Sequence, residues 1–195
     1  MSRCAYRVGS FDPDKRGQMA SIYKDPIPTR ASKASVAAFA ESVAAELSFN
    51  AGEPIEDVVS SLGGAISYRN PVGEAIPESI RVEPSCKFKI FLSSLTSVSR
   101  DRFTLAHELG HFFLHFPLVS QAFPGFGMRA TRWVDESNPD LQRCEWEANW
   151  FAASFVMPEA PFREVFPQGI ASASSFFGVS EKAVVVRAKS LDLPV

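Results

Sequence analysis

The run from Ser99 to Phe116 constrains this chain more than any other segment, because it sets His107 and His111 four residues apart in an otherwise apolar helical stretch. A helix turns by roughly 100° per residue, so positions four apart lie nearly one above the other. Both imidazoles therefore leave the same face, close enough to share one ion, and zinc suits such ligands. Phe103, Leu105, Ala106, Leu109, Phe112 and Phe113 around them require the helix to lie against a core, which would hold the metal on a rigid element. Glu108 points about a quarter-turn away. From there it can reach a water beside the ion as a general base but cannot easily coordinate the same ion. Gly110 costs the helix about 1 kcal/mol against alanine; the expected return is close approach of a strand or a substrate backbone. Asp101 or Ser99 is expected to cap this helix, and Pro117 to stop it.

A catalytic zinc takes three protein ligands and leaves its fourth position open. The three histidines of the chain all lie between 107 and 115. His115 extends the same stripe, but one ion cannot bridge 107 and 115 along a straight helix. It is read as a helix-end residue facing the dipole or lining the cleft. The better source of a third ligand is the strong helix from Leu141 to Met157. There Glu145 and Asn149 share a face, an arrangement similar to the second helix of the His, His, Glu zinc peptidases, in which the later side chain orients a ligand histidine. Glu147 lies about 200° from Glu145 around the helix and is expected to meet solvent or a salt bridge. Glu145 is preferred over Glu147, which stays the alternative. Cys144 falls off the metal face and reads as a buried or half-buried thiol.

The other segments frame this pair of helices. Ser32 to Phe49 is a helix with an apolar stripe of Val36, Phe39, Ala40, Val43 and Leu47; Pro54 to Leu62 is a shorter one, ended by Gly63-Gly64. Ala65 to Tyr68, Ser79 to Glu83 and Lys87 to Leu92 read as strands, the last two joined by a turn at Pro84-Ser85. Leu118 to Asn138, with Pro124, Gly125 and Gly127, reads as a long loop. Short helices follow over Ala160–Phe166 and Ile170–Phe177, and Ser180 caps a last one. The expected class is α+β, a small twisted sheet packed against a helical core that includes the His-Glu-x-x-His helix and a second ligand-bearing helix. Residues 1–30, with Pro13, Pro26 and Pro28 among charges, read as an extended arm, and 31–195 as one domain with C-terminal helices.

The net charge of −2 among 195 residues argues against a surface built for nucleic acid. Three scattered cysteines make neither a disulfide framework nor a cysteine-rich zinc site. No secretory signal or membrane-spanning stretch is read, so the cytoplasm is the expected location.

The block Arg102-Phe103-Thr104-Leu105-Ala106-His107-Glu108-Leu109-Gly110-His111-Phe112-Phe113-Leu114-His115, with Glu145-x-Glu-Ala-Asn149-x-Phe151-Ala152-Ala153 and Met157-Pro158, resembles the ImmA/IrrE family of zinc metallopeptidases. The resemblance is clear over residues 100–158 and looser from Ser32 to the Phe177-Gly178-Val179-Ser180 helix start. It implies a zincin-like (gluzincin) core, zinc held by His107, His111 and Glu145, Glu108 as catalytic base and Asn149 behind the ligands. It further implies cleavage of a regulatory protein, such as a helix-turn-helix repressor or an antitoxin, by a core-only member. The rival reading is a non-proteolytic regulatory or toxin-like protein of a toxin-antitoxin or mobile-element locus that binds a partner repressor. DNA binding through Ser172 to Ser190 rates low, since only Lys182, Arg187 and Lys189 supply positive charge there. For the oxyanion donor the candidates are His115, Tyr68, Arg129 and Arg132. Phe123, Phe126, Trp133 and Trp146 could line a peptide cleft or simply pack on the core.

Overall fold

The computed structural model describes residues 22–70, 78–131 and 137–195. Among them, strands β1 (Tyr23–Lys24), β2 (Gly64–Arg69), β3 (Glu78–Val82), β4 (Phe88–Ser93) and β5 (Gly127–Thr131) form one open mixed sheet in the order β1-β5-β3-β4-β2. β3 and β4 make the expected antiparallel hairpin, with Ile80 opposite Ile90, while β2 joins β4 and β1 joins β5 in parallel. At the hairpin turn Cys86 takes φ 66°, and its N–H donates to the Glu83 carbonyl at 2.9 Å. Ile80, Val82, Phe88, Ile90, Leu92, Met128 and Ala130 are buried, the period-two pattern of strands that lay one face on a core.

That core is closed by helices α1 (Lys33–Glu46), α2 (Ile55–Ser61), α3 (Val98–Gly110), α4 (Phe116–Ala122) and α5 (Pro139–Val156), and the chain finishes with α6 (Glu159–Val165), α7 (Ile170–Phe177) and α8 (Glu181–Ser190). Local chemistry sets several of these starts. Ser32 caps α1 by accepting from Ser35 N–H, Asn138 caps α5 by accepting from Asp140 and Leu141, and Ser180 caps α8 through Ala183. Gly178, at φ 65°, takes the left-handed position that ends α7. The fold is thus α+β, with α5 packed between α1 and α3. Phe151 of α5 meets Phe39 and Phe113, its ring centroid 6.3 and 5.9 Å from theirs, and Phe155 stacks on Phe49 at 4.7 Å. On α1 the buried stripe is Val36, Ala40, Val43 and Ala44; Phe39 touches Phe151 from its margin and stays 40% exposed.

Three local expectations are corrected. Pro117 does not stop the motif helix. His111–His115 form a π-turn in which Phe116 N–H reaches back five residues to the His111 carbonyl, and α4 then continues with Pro117 in its first turn. Proline's missing N–H is tolerated there because the wider π-turn before it gives up one bond of the helical ladder. The expected loop of 118–138 instead contains the rest of α4 and all of β5, and 132–136 lie outside the described residues. β5 escapes a pattern search because its five residues, Gly-Met-Arg-Ala-Thr, carry little strand propensity; pairing with β3 and β1 supplies it. Ser97, not Asp101 or Ser99, is the cap residue of α3, and Asp101 accepts from the Thr96 hydroxyl.

Of residues 1–30, those before 22 lie outside the described part, while Tyr23–Lys24 pair with β5 and the Thr29 and Arg30 backbone is hydrogen-bonded to Glu147. No helix among the described residues is long and apolar enough to cross a membrane.

Candidate metal centre

Gly110 decides how closely α3 and α5 approach. A Cβ there would sit 3.0 Å from Ala148 Cα and 3.2 Å from its carbonyl oxygen, so the glycine admits a second helix rather than a strand or a substrate. Glu145, three residues before Ala148, is thereby carried across to the histidines. His107 Nε2 stands 3.2 Å from Glu145 Oε2, His111 Nε2 3.2 Å from Glu145 Oε1, and the two ring nitrogens 3.1 Å apart. One ligand atom from each of the three residues lies within 4.8 Å of the others. In a tetrahedral site with zinc–nitrogen bonds of roughly 2.0–2.1 Å, ligand atoms stand about 3.4 Å apart, close to the spacing found.

The outer hydrogen bonds fix which nitrogen faces inward. Asn149 Oδ1 can only accept, so His107 donates from Nδ1 across 3.2 Å and turns the Nε2 lone pair toward Glu145. His115 Nε2 lies 3.2 Å from Glu147 Oε2, which accepts its proton. That leaves His115 Nδ1 as acceptor for His111 Nδ1 at 3.0 Å, and the His111 Nε2 lone pair also faces the carboxylate. Two lone pairs and a carboxylate converge, a donor set that needs a positive charge among them. The electrostatics agree. For Glu145, burial acts upward, but His107 and His111 hold its carboxyl well below the usual range. Burial acts downward on His107, yet Glu145 and Glu108 carry its net shift upward. His111 is pushed down to about 4, by burial first and then by the neighbouring imidazoles. Glu108 is 3% exposed.

Glu147 does not turn to the ion-binding face or to solvent. It is fully buried and accepts from Thr29 N–H and Oγ1 and from Arg30 N–H, each at 2.8 Å, from Arg143 Nε at 2.9 Å and from His115. His115, fully buried as well, is thus the link between His111 and that carboxylate rather than a helix-end residue at a cleft. The sequence alone does not reveal this relay; its only signals there are the two four-residue spacings 111–115 and 143–147.

The other candidates separate cleanly. Tyr68 is 59% exposed on β2, the sheet edge opposite β1. Arg132 and Trp133 lie outside the described residues. Arg129, exposed on β5, lines a small recess together with Thr131, Cys144 and Glu145. Phe123 and Phe126 pair edge to face and lie under Lys24, whose Nζ is 5.0 and 4.7 Å from their centroids, so they pack on β1. Trp146 is 54% exposed, and Cys144 is buried with its thiol pushed up to about 12, chiefly by burial.

A family model described as the IrrE N-terminal-like domain, a peptidase family, matches residues 78–189, which take in both helices of the centre. A search of curated proteins finds no match. Among solved structures the chain is similar to one described as a Mycobacterium tuberculosis transcriptional regulator, with 18% identity and a TM-score of 0.56 over 83% of this chain and 48% of that one. At that identity the likeness is one of fold, and this chain spans about half the length of that structure.

Proposed function

This chain belongs to the family of IrrE N-terminal-like peptidase domains, and from that premise we propose that it is a zinc-dependent endopeptidase that cuts a regulatory protein, such as a helix-turn-helix repressor or an antitoxin. The observation that carries the reading is the convergence of the His107 and His111 Nε2 atoms on the Glu145 carboxylate. Those three residues would hold the ion, with Asn149 and His115 fixing the two imidazoles from behind. Zinc, when bound, supplies Lewis acidity to a scissile carbonyl and to water.

The remaining work falls to side chains of this protein. Glu108 takes the proton of the attacking water as the new C–O bond forms and the carbonyl oxygen becomes an oxyanion; it then delivers that proton to the amine nitrogen as the C–N bond breaks and the carbonyl is restored. Arg129, beside Glu145 at the recess, is the candidate donor for the oxyanion. His115 is unsuited to that role because both its ring nitrogens are engaged.

Two measurements test this. Metal analysis by mass spectrometry should find one zinc per chain in the wild type and none in His111→Ala or Glu145→Ala; zinc retained in Glu145→Ala but lost in Glu147→Ala would overturn the ligand set. Incubation with a candidate helix-turn-helix regulator should give cleavage that disappears in Glu108→Gln while zinc stays bound. If the zinc-loaded wild type binds that regulator and leaves it intact, the non-proteolytic reading replaces this one.

A further inference from the structure

α8 is anchored to the core on one side only. Val184 and Ala188 are fully buried, and Arg187 Nε donates to the Met157 carbonyl at 2.9 Å. The adjoining face does not close against α3 and α5. A groove of about 840 Å³ remains between the three helices, within the size range of sites that take a small ligand or a few side chains of a partner. Its floor is apolar, made chiefly by Phe103, Trp150, Ala153, Met157 and Val186, the last 57% exposed. Its polar character is of one sign. Lys33, Arg100, Lys182 and Arg187 line it, and no carboxylate among the described residues does. Arg100 and Lys182 are exposed and make no salt bridge among the described residues; the nearest carboxylate to Arg187 belongs to Glu41, at 3.7 Å. On a chain with a net charge of −2 this is a local reversal.

The groove also runs up to the metal centre. Asn149 lines it, and the same side chain accepts from His107 Nδ1. We propose that this groove docks an acidic segment of a protein partner, its apolar side chains on the Phe103–Trp150–Val186 floor and its carboxylates on Arg100, Lys182 and Lys33. The proposal rests on the peptidase reading for its purpose: it names an acidic, apolar-anchored stretch as the part of the substrate held beside the cutting site.

Nucleic acid is the rival polyanion, because α7, Gly178 and α8 are spaced like a helix-turn-helix. Lys182, Val186 and Ser190, on the face of α8 that such a unit would present, line this concave groove instead. A phosphate backbone gains from cations but nothing from an apolar floor, whereas an amphipathic peptide gains from both.

The test is fluorescence anisotropy on zinc-loaded Glu108→Gln protein, so that nothing is cut. The probe is a fluorescein-labelled peptide of glutamates interspersed with leucine and phenylalanine, and the control is its lysine counterpart. The glutamate peptide should bind at least about tenfold tighter than the lysine peptide, and added salt should weaken it. Combining Arg100→Glu with Lys182→Glu should cost about tenfold or more. Val186→Asp, at another exposed position, should weaken binding independently and serves if the double variant fails to fold. Equal affinity for both peptides, undiminished binding by the variants, or displacement of the peptide by a DNA duplex would each overturn the proposal. Its failure and that of the peptidase reading are separable. A partner cut by protein that shows no preference for the acidic peptide removes the groove alone, and selective binding by a wild type that cuts nothing removes the peptidase alone.

Discussion

Replacing Glu147 by glutamine keeps the shape of the side chain and removes its charge. The carboxylate accepts five hydrogen bonds, three on Oε2 from Thr29 N–H, Thr29 Oγ1 and His115, and two on Oε1 from Arg30 N–H and Arg143. A glutamine whose oxygen takes the Oε2 position keeps the first three, but its NH2 group then faces two donors. One lost charge-assisted bond is worth about 1.5–3 kcal/mol, and a buried N–H left unpaired costs about 1–3 kcal/mol more. Proton linkage expresses the same contacts as a pH-dependent quantity. The Glu147 carboxyl is lowered from 4.5 to about 2; burial opposes that shift, and His115, Arg143 and Thr29 overcome it. At 1.36 kcal/mol per unit the shift corresponds to about 3 kcal/mol. The bond losses sum to about 2.5–6 kcal/mol and the linkage figure lies in the lower part of that range; at about 3 kcal/mol the melting temperature falls by about 6–12 °C for a chain of this size. The sign with pH follows from the depressed value. The stabilisation is complete above about 4.5 and fades as pH falls toward 2, so wild type and Glu147→Gln should converge on acidification. Differential scanning calorimetry of EDTA-stripped protein from pH 7 downward reads this without interference from metal release. Melting temperatures within 2 °C of each other at pH 7 would mean that the carboxylate's bonds to Arg30 N–H and Arg143 do not stabilise the fold, and the reasoning would fail with it.

Other perturbations act on the centre from separate directions. Gly110→Ala places a methyl 3.0 Å from Ala148 Cα and should cost about 1–3 kcal/mol by overpacking. It should also weaken zinc binding by moving Glu145 off the histidines, measured by competition with a chromogenic chelator; unchanged affinity would show that helix spacing is not what positions Glu145. His115→Leu leaves His111 Nδ1 without its acceptor and should raise the zinc dissociation constant about 10–100-fold, whereas a purely space-filling His115 would leave it unchanged. Arg129→Ala should lower kcat on a cleaved partner by about 10²-fold or more with little change in KM, and equal loss in KM alone would assign the residue to binding instead. Cys144, buried with a raised thiol pKa, should stay unmodified by iodoacetamide in the folded protein and react once the protein is unfolded, as read by peptide mapping.

What the sequence made legible about this centre was whatever depends on one helix at a time. His107 and His111 follow from a four-residue spacing, and Glu145 with Asn149 from another, because an α-helix converts such spacing directly into a shared face. The alternative Glu147 was harder for a physical reason. Rotation about the α5 axis tells which way it leaves the helix but not what waits there, and what waits is backbone from more than a hundred residues earlier. A buried carboxylate is tolerable only with such partners, and at Thr29 and Arg30 two of the three donors are main-chain N–H groups that every residue but proline carries, so the side-chain pattern does little to announce them. Pro117 misled in the same way. Its effect on a helix depends on whether the preceding turn can surrender a hydrogen bond, and the π-turn at His111–His115 does so. That turn also sets His115 Nδ1 3.0 Å from His111 Nδ1. The rule broken by the sequence at 117 therefore falls on the residues that hold the candidate ligand in place. Restoring the rule with Pro117→Ala, which lets an ordinary α-helical ladder compete with the π-turn, should loosen the His111–His115 contact and weaken zinc binding even as helix propensity improves.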